Sequence, residues 1–287
     1  MDKLTWELSQ LQRNNRDGSR STQENRKKIL NMTAQHLKQL GFNRMNTKAL
    51  KAKHVIKLAE KWRSENLSAG TIKNRMSHIR WWASKVNATH KIPANDQLGI
   101  DKRIYITNEN KAVELKHHHL EKVSDQNLHF SLKLQAAFGL RREESIKFIA
   151  QFADRGDKIV LKDTWCKGKR SRAIPITNLH QRELLNEIKK DRGGESLIPS
   201  HLSYKQQMDK YRNTISQIGL GKGHGLRHNY AQIRYKELSN NNCPVLGGKQ
   251  QKYMNEDERT KDREVRLMIT EELGHAREQV TSIYLGS

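Results

Sequence analysis

Apolar residues recur at spacings of three and four along most of this 287-residue chain. The stretch SAGTIKNRMSHIRWWASKV shows the pattern most clearly. Its apolar stripe consists of Ile72, Met76, Ile79, Ala83 and Val86. This spacing is that of an amphipathic α-helix, which buries its stripe against neighbouring elements. The pattern therefore predicts a mainly helical fold, in which Trp81 and Trp82 close the core beside this helix.

Two further helices are predicted upstream, and together the three form a helical domain over residues 1–92. The first lies in STQENRKKILNMTAQHLKQLG, where Ser21 and Glu24 have the spacing of a capping box and Gly41 ends the helix. The second is KHVIKLAEKWRSEN. The helical period then fails near Pro93 and Gly99, so we place a linker at residues 93–110. A second domain is expected over residues 111–287.

One two-stranded element interrupts the helices of this second domain. KIVL and RAIPI are short β-prone runs on either side of the basic turn KDTWCKGKRS. Helices are predicted at residues 178–191, 203–218, 225–238 and 264–273. The polar, glycine-bearing stretch between the last two, at about 239–263, is expected to be an exposed insertion. The fold class is thus mainly α with a small β-hairpin, divided between two domains.

Positive charge is spread over the whole chain. Residues 1–100 contain 20 lysines and arginines against 7 acidic residues, and the remainder contains 34 against 24, for a net charge of +23. A broad basic surface favours a polyanionic partner, and nucleic acid is the commonest one. The alternative is a basic protein that is only well solvated. No apolar run approaches a membrane span, and the N-terminus lacks a signal-peptide layout, so we expect a soluble cytoplasmic protein without a membrane partner.

The sequence does not favour a metal or nucleotide site. Cys166 and Cys243 lie far apart and are expected to be reduced, structural thiols. The histidines of KHHHL point in different directions on a helix and are better explained as a solvated face. No DxD, HExxH or GxxxxGK[ST] motif is present. We therefore expect no metal and no cofactor.

Six residues with chemically useful side chains stand in five short motifs. FGLRREES places an arginine after an apolar helix, CKGKRSRAIPI places a lysine in the hairpin turn, and GHGLRHNYA places a histidine and an arginine one helical turn apart. A second histidine follows in LGH, with a tyrosine nine residues later. The six are Arg141, Lys167, His224, Arg227, His275 and Tyr284.

These side chains match the needs of phosphodiester cleavage without a metal. Guanidinium groups bind the non-bridging oxygens of a phosphate with planar, bidentate hydrogen bonds. A tyrosine hydroxyl, whose ordinary pKa is about 10, becomes a nucleophile when cationic groups stabilise the phenolate and a histidine takes its proton. A lysine on a mobile turn can protonate the departing sugar oxygen. A phosphotyrosine link would conserve the bond energy, so ATP is not required.

This set and its order resemble the tyrosine recombinase (phage integrase) family. The anchors are GLRREE, CKGKRSRAIP, HGLRHNYA and LGH…IY, and they extend over most of the chain. The resemblance places Lys167 at the position of the family's hairpin lysine, and Cys166 stands where the family has a glycine. Glu144 fits the acidic residue three after the first arginine and would orient it. The N-terminal helices look like the SAM-like core-binding domain of the family.

The resemblance implies a site-specific DNA recombinase or integrase that cleaves DNA through a 3′-phosphotyrosyl intermediate. Double-stranded DNA would be the partner, bound by a homo-tetramer that is monomeric or weakly associated when free. A DNA-bending or directionality factor, a mobile-element origin and association with the bacterial nucleoid are further expectations. The basic residues expected to contact DNA lie on the third helix and in the hairpin turn. They are Lys73, Arg75, Arg80, Lys85, Lys169 and Arg170.

Two features depart from the family pattern. The interval from Arg227 to His275 is roughly twice the usual one, and the mixed charge of the 239–263 insertion suits protein contact better than phosphate contact. Only three residues follow Tyr284, whereas family members usually continue into a helix that docks on the next protomer. We therefore expect Tyr284 to be held less firmly than in relatives, with activity waiting on assembly.

Two other functions are open at this point. A type IB-like topoisomerase uses much the same residue types but relaxes supercoiled DNA as a monomer. A DNA-binding accessory protein of the same fold would have lost catalysis, although all six positions here hold competent residues. The sequence indicates neither the target DNA nor the choice among integration, excision, resolution and inversion.

Overall fold

The chain divides into two compact units, Met1–Ile104 and Tyr105–Ser287, in a computed structural model that describes residues 2–287. Within the described residues, α-helices dominate and one two-stranded antiparallel sheet is present, which confirms the predicted fold class. The division lies inside the predicted linker, whose bounds stay a prediction. Over the same residues, no helix is long and apolar enough to cross a membrane.

Within residues 2–104, the first unit contains four α-helices. They are α1 (Lys3–Asn14), α2 (Arg20–Gln39), α3 (Ala52–Ser64) and α4 (Ala69–Lys85). Helix α4 begins after Ser68, whose hydroxyl accepts a hydrogen bond from the amide of Thr71 at 3.3 Å. The apolar stripe of α4 is buried against the other helices, and Trp82 lies in that core with its indole N–H donating to the Thr47 carbonyl at 3.0 Å. Trp81 is only partly buried, with the guanidinium of Arg26 4.0 Å above its ring.

Three details of this unit differ from the sequence-based expectation. Helix α2 is capped by Ser19 rather than Ser21, because the Ser19 hydroxyl accepts from the amide of Thr22 at 3.2 Å. Helix α1 was not predicted, although Asp2 caps it through the Thr5 amide at 2.9 Å. Leu98 and Ile100 are buried in the core of this unit, so packed structure continues beyond residue 92.

The second unit contains nine α-helices among the described residues. They are α5 (His117–Leu120), α6 (Gln126–Phe138), α7 (Arg142–Ile146), α8 (Ala150–Ala153), α9 (Leu179–Arg192), α10 (Tyr204–Gln217), α11 (His224–Ser239), α12 (Glu256–Leu273) and α13 (Glu278–Leu285). The strands β1 (Lys158–Leu161) and β2 (Arg172–Pro175) pair antiparallel, with Lys158 opposite Pro175 and Leu161 opposite Arg172. This pairing is the predicted hairpin.

Helices α6, α11, α12 and α13 pack around one apolar core in the second unit. Phe138, Ile269, Leu273 and Leu285 are almost completely buried in it. This packing brings the C-terminal ends of α6 and α12, the N-terminal end of α11 and the whole of α13 to one place. That place is the candidate site.

The 239–263 segment is more ordered and more buried than an exposed insertion. Helix α12 begins at Glu256 rather than at 264, with Asn255 and Glu258 forming a capping box. Cys243 and Asp262 are buried. The segment between α11 and α12 therefore has an inner side that belongs to the unit, as well as an exposed outer side.

Candidate active site

Three arginines converge on the last turn of α12. The last carbonyls of a helix have no intrahelical partner and form the negative end of its dipole, so they are natural acceptors for guanidinium groups. Here three consecutive carbonyls each accept from a different arginine, which comes from a different element. The pairs are Arg172 Nε with Glu272 O at 2.8 Å, Arg227 Nη2 with Leu273 O, and Arg141 Nη2 with Gly274 O at 3.1 Å.

Two glycines make this arrangement possible. Gly274 ends α12 with φ +61°, and a Cβ there would lie 2.8 Å from Cδ of Arg172. Gly139 ends α6 with φ +60°, and a Cβ there would lie 2.4 Å from the ring of Tyr230. The Gly139 carbonyl accepts a further hydrogen bond from Nη1 of Arg227. Any other residue at either position would combine a strained backbone with a clash.

Glu144 joins two of the arginines. Its carboxylate is completely buried and accepts from Arg141 Nη1 at 2.8 Å and from both terminal nitrogens of Arg172 at 2.8 and 2.7 Å. Burial by itself would raise the pKa of Glu144, but the hydrogen bonds and charge of Arg172, helped by Arg141, outweigh it and lower the pKa to about 2. Glu144 therefore stays ionised and orients both guanidinium groups.

Arg227 is the most deeply buried cation of the site. It lies on α11, is 1% exposed, and uses three of its five N–H donors on Gly139 O, Leu273 O and Nε2 of His275, the last at 3.2 Å. Its buried Nε–H has no hydrogen-bond partner among residues 2–287. Burial and the neighbouring charge of Arg141 lower the pKa of Arg227 to about 10. The side chain thus remains charged at neutral pH and keeps donors for an anion.

His275 is held in one tautomer by its two neighbours. A guanidinium cannot accept, so Nε2 of His275 accepts from Arg227 and Nδ1–H donates to Thr281 Oγ1 at 2.9 Å. Thr281 in turn lies 2.6 Å from the hydroxyl of Thr270. Burial, followed by the charge of Arg227, lowers the pKa of His275 to about 3, so the ring is neutral.

Tyr284 is 6% exposed and lies among three histidines. Its hydroxyl is 3.0 Å from Nε2 of His224, the first residue of α11. Its ring stacks on His228 with centroids 4.3 Å apart, and the ring of His275 is 5.1 Å away. Helix α13 packs into the core, and the ring and hydroxyl of Tyr284 are both held there, while the predicted difference from relatives stays a prediction.

The two histidines of α11 are neutral near pH 7. Burial, followed by the charge of Arg227, lowers the pKa of His224. Burial and the charge of His224 lower the pKa of His228 to about 4. A neutral His224 at hydrogen-bond distance from a phenol is a competent general base. The site thus combines a histidine that can accept a proton, a tyrosine hydroxyl that can attack, and three arginines against the single carboxylate of Glu144, which suits it to an anionic substrate.

The structure brings together five of the six residues predicted to be catalytic, and their roles stay predictions. The sixth, Lys167, is exposed in the β1–β2 turn and has no hydrogen-bond or ion-pair partner within residues 2–287. Lys169 and Arg170 are exposed in the same turn. The base of this turn is anchored near the arginines, because Arg172 binds Glu144 and its Nη1 lies 3.6 Å from Sγ of Cys166.

The four basic residues of α4 differ in their surroundings. Arg80 donates to Asn95 at 2.9 Å and to the Pro93 carbonyl at 3.2 Å, and Lys85 pairs with Asp17 at 2.9 Å. Arg75 lies over the ring of Trp62, 5.1 Å from its centroid. Lys73 has no such partner in the described part of the chain. Contact with DNA stays a prediction for all four, and Lys73 is the least engaged within its own unit.

Sequence reasoning missed three residues of this site. Arg172 was available as the first residue of the predicted second strand, and His228 as the residue one helical turn after His224. Their positions could have been noted, but only the fold shows that one binds Glu144 and that the other stacks on Tyr284. Thr281, which fixes the tautomer of His275, carried no recognisable signal.

Comparison with known proteins gives the family. The family model described as "Phage integrase, N-terminal" matches residues 1–89, and the model described as "Integrase" matches residues 104–233, so together they account for most of the chain. The chain belongs to the tyrosine recombinase (phage integrase) family. No curated protein matches the sequence.

Solved structures of other integrases and recombinases share the fold of this family member. A lambda integrase (75–356) dimer bound to a COC′ core site has a TM-score of 0.63 and 16% identity over 98% of this chain and 94% of that one. The Tn1549 transposon integrase (82–397) in complex with circular intermediate DNA has a TM-score of 0.57 and 13% identity, over 100% of this chain and 96% of that one. The XerH site-specific recombinase bound to difH substrate has a TM-score of 0.58 and 18% identity, over 98% of this chain and 80% of that one. At such identities the likeness concerns the fold.

Burial of His228 predicts that this phage integrase family member loses stability in mild acid. The pKa of His228 is lowered from 6.5 to about 4, so below pH 6.5 the unfolded chain takes up a proton that the folded chain does not. The associated stability is present above pH 6.5 and is lost progressively as the pH falls towards 4. In His228→Phe, which keeps a ring beside Tyr284, the melting temperature should fall less between pH 7 and pH 5 than in the wild type.

The matched control for this measurement is His117→Phe, at an exposed position on α5. The melting temperature of His117→Phe should fall between pH 7 and pH 5 by as much as that of the wild type. An equal loss of melting temperature in His228→Phe and the wild type would contradict the assigned burial of a neutral His228.

Proposed function

We propose that this chain is a site-specific DNA recombinase that cleaves and rejoins DNA through a covalent link to Tyr284. One observation carries the proposal: the Tyr284 hydroxyl meets a neutral His224 at 3.0 Å, in a site where three arginines outnumber one buried carboxylate. A nucleophile with a base beside it, facing an excess of guanidinium groups, suits attack on a phosphodiester. Membership of the integrase family supports the same reaction.

In the proposed reaction, the phenolic oxygen of Tyr284 attacks the phosphorus atom as its proton passes to Nε2 of His224. The bond between phosphorus and the 5′-oxygen breaks, and Lys167 donates the proton that the 5′-oxygen needs. The products are a 3′-phosphotyrosyl enzyme and a 5′-hydroxyl strand. Attack by the 5′-hydroxyl of a partner duplex reverses these steps and completes strand exchange.

The arginines would bind the non-bridging oxygens of the phosphate. Arg227 is held by two helix-terminal carbonyls, and Arg141 by Glu144 and the Gly274 carbonyl, so both are ordered before substrate arrives. Donors that need no reorganisation stabilise a transition state best. His275 accepts from Arg227 in the protein alone, and it would donate to a phosphate oxygen only after Nε2 gains a proton.

The substrate and assembly are part of the proposal. Double-stranded DNA is the proposed partner, and the lambda, Tn1549 and XerH proteins of similar fold were solved with DNA. We propose a homo-tetramer on DNA, an origin in a mobile element and association with the bacterial nucleoid. A DNA-bending or directionality factor is a further proposed partner. The comparisons favour neither the topoisomerase nor the silent accessory protein.

Tyr284→Phe should abolish covalent attachment to DNA, because the phenolic oxygen is the proposed nucleophile. The measurement is the protein–DNA adduct formed on nicked suicide duplexes drawn from the DNA that flanks the coding sequence. Tyr253→Phe, at an exposed tyrosine of the same unit, is the matched control and should form adduct at the wild-type rate. An adduct that survives Tyr284→Phe, or no adduct from the wild-type protein, would refute the proposed mechanism. Relaxation of plasmids without a specific site would favour the topoisomerase.

Arg227→Lys should slow adduct formation by about a hundredfold, in the range seen when one transition-state donor is removed. Lysine retains the charge but cannot replace the contacts of Arg227 with Gly139, Leu273 and His275 at once. DNA affinity should change little, since the interaction strengthens mainly in the transition state. Arg212→Lys, at an exposed position of α10, is the control. Equal losses of affinity and cleavage would show that Arg227 acts in binding rather than in catalysis.

Lys73→Ala should make the plot of log affinity against log salt concentration less steep by about one unit, because one phosphate contact is lost. The measurement is the dissociation constant at several salt concentrations. Lys73→Arg preserves the charge and should preserve the slope. If Lys73→Ala leaves the slope unchanged, the DNA contact of α4 does not involve this residue.

A further inference from the structure

A second buried ion pair lies behind the nucleophile helix. Arg266 of α12 is completely buried, and its Nε donates to Asp262 Oδ2 at 2.7 Å. Its Nη1 donates to the carbonyl of Gly286 at 2.9 Å, two residues after Tyr284. The guanidinium therefore connects the middle of α12 to the backbone that carries the tyrosine.

Asp262 is also held from two other elements. Its Oδ1 accepts from the Tyr235 hydroxyl of α11 at 2.6 Å, and its Oδ2 accepts from Nε2 of Gln251 at 2.6 Å. Burial and the hydrogen bond to Asp262 raise the pKa of Tyr235, so the phenol stays protonated and donates. Gln251 belongs to the segment that precedes α12, which therefore contributes directly to this network.

The same segment packs against the residues that follow Tyr284. Gly286 has φ +81°, and a Cβ there would lie 2.9 Å from the amide nitrogen of Val245 and 3.2 Å from Cβ of Pro244. The turn Pro244–Leu246 packs on α13. The inner side of the 239–263 segment thus covers the end of the nucleophile helix.

Three successive residues fix the backbone at the nucleophile. The Tyr284 carbonyl accepts from Gln232 Nε2 at 3.2 Å, the Leu285 side chain is completely buried, and the Gly286 carbonyl accepts from Arg266. The tyrosine side chain leaves this fixed backbone towards His224. A shift of Gly286 would therefore move the phenolic oxygen relative to its base.

The energetics indicate that this ion pair serves to position the backbone rather than to stabilise the fold. A buried ion pair seldom stabilises a fold more than an apolar pair of similar volume, because both charges lose hydration. Nη2 of Arg266 is buried and has no hydrogen-bond partner among residues 2–287, which is a further cost. The pair does, however, provide a directional link from α12 to Gly286 that an apolar contact could not provide.

We propose that Arg266 is a positioning residue for the nucleophile and that Asp262, supported by Gln251, orients it. The 239–263 segment then helps to position Tyr284 through contacts within its own unit. The inference rests on the proposed function, in which Tyr284 attacks DNA. It assigns no contact between Arg266 and the substrate.

The test uses Arg266→Lys in the full chain, with two readouts. Lysine can retain the ion pair with Asp262, but it cannot also hold Gly286 in the fork geometry of arginine. In the free protein, hydrogen exchange should become about tenfold faster for the amides of residues 282–287, with the amides of α6 unchanged. Adduct formation on the suicide duplex should become at least about tenfold slower at an unchanged dissociation constant, as expected for a misplaced nucleophile.

Two further variants complete the experiment. Lys261→Gln removes a charge from an exposed position of α12 and should leave both readouts at the wild-type values. Gln251→Ala removes only one hydrogen bond to Asp262 and should change both readouts in the same direction by about threefold. It carries the test if Arg266→Lys fails to fold, as judged by thermal melting.

The outcomes separate this inference from the proposed function. Unchanged exchange at residues 282–287, or adduct formation that is unchanged or faster, would overturn the positioning role. Weaker DNA binding in place of slower adduct formation would overturn it as well. If the wild-type protein forms no adduct, the proposed function fails, and faster exchange in Arg266→Lys would still support the link from Arg266 to the backbone at Tyr284.

Discussion

The end of helix α12 is the constraint on which the site depends. The carbonyls of its last two residues, Glu272 and Leu273, and of the capping Gly274 each accept from an arginine that comes from a different element of the unit. The next residue is His275, and helix α13 then leads to Tyr284. One helix end thus sets the position of three cations directly and of the histidine and tyrosine through short connections.

The charges explain why this arrangement needs so many backbone acceptors. Three guanidinium groups with one buried carboxylate repel one another, and the lowered pKa of Arg227 reflects its burial and the charge of Arg141. Helix-terminal carbonyls offset part of that repulsion without neutralising it. The remaining positive charge is available to an anion, and its donors are ordered in advance. Pre-organised charge of this kind is what stabilises a phosphoryl transition state.

The sequence predicted the elements well where periodicity determines them. The stripe of α4 and the β1–β2 hairpin were both expected, and the fold class is confirmed. The spacing of His224 and Arg227 likewise placed two functional candidates on one face of a helix. What could not be predicted depends on the backbone in three dimensions. No side-chain pattern reveals that Gly139 and Leu273 present carbonyls to Arg227, or that Ser19 rather than Ser21 caps α2.

The 239–263 segment illustrates the same limit. Its polar composition favoured an exposed insertion, yet Cys243, Gln251 and Asp262 form an inner side that supports the end of α13. Composition averages over both sides of a segment, whereas burial depends on single residues. A few inward side chains in a polar stretch therefore escape detection until the fold is known.

Firm placement of Tyr284 changes how the proposed reaction would be controlled. Its hydroxyl, ring and carbonyl are held by three residues of α11, and Arg266 of α12 holds the nearby Gly286 carbonyl. The proposed nucleophile and its proposed base therefore lie together within one chain. Of the six residues proposed to act, Lys167 alone has no hydrogen-bond or ion-pair partner in residues 2–287, and it is exposed. It would supply the proton to the leaving 5′-oxygen. In the proposed mechanism, the last component to be placed is therefore the acid on the β1–β2 turn rather than the tyrosine.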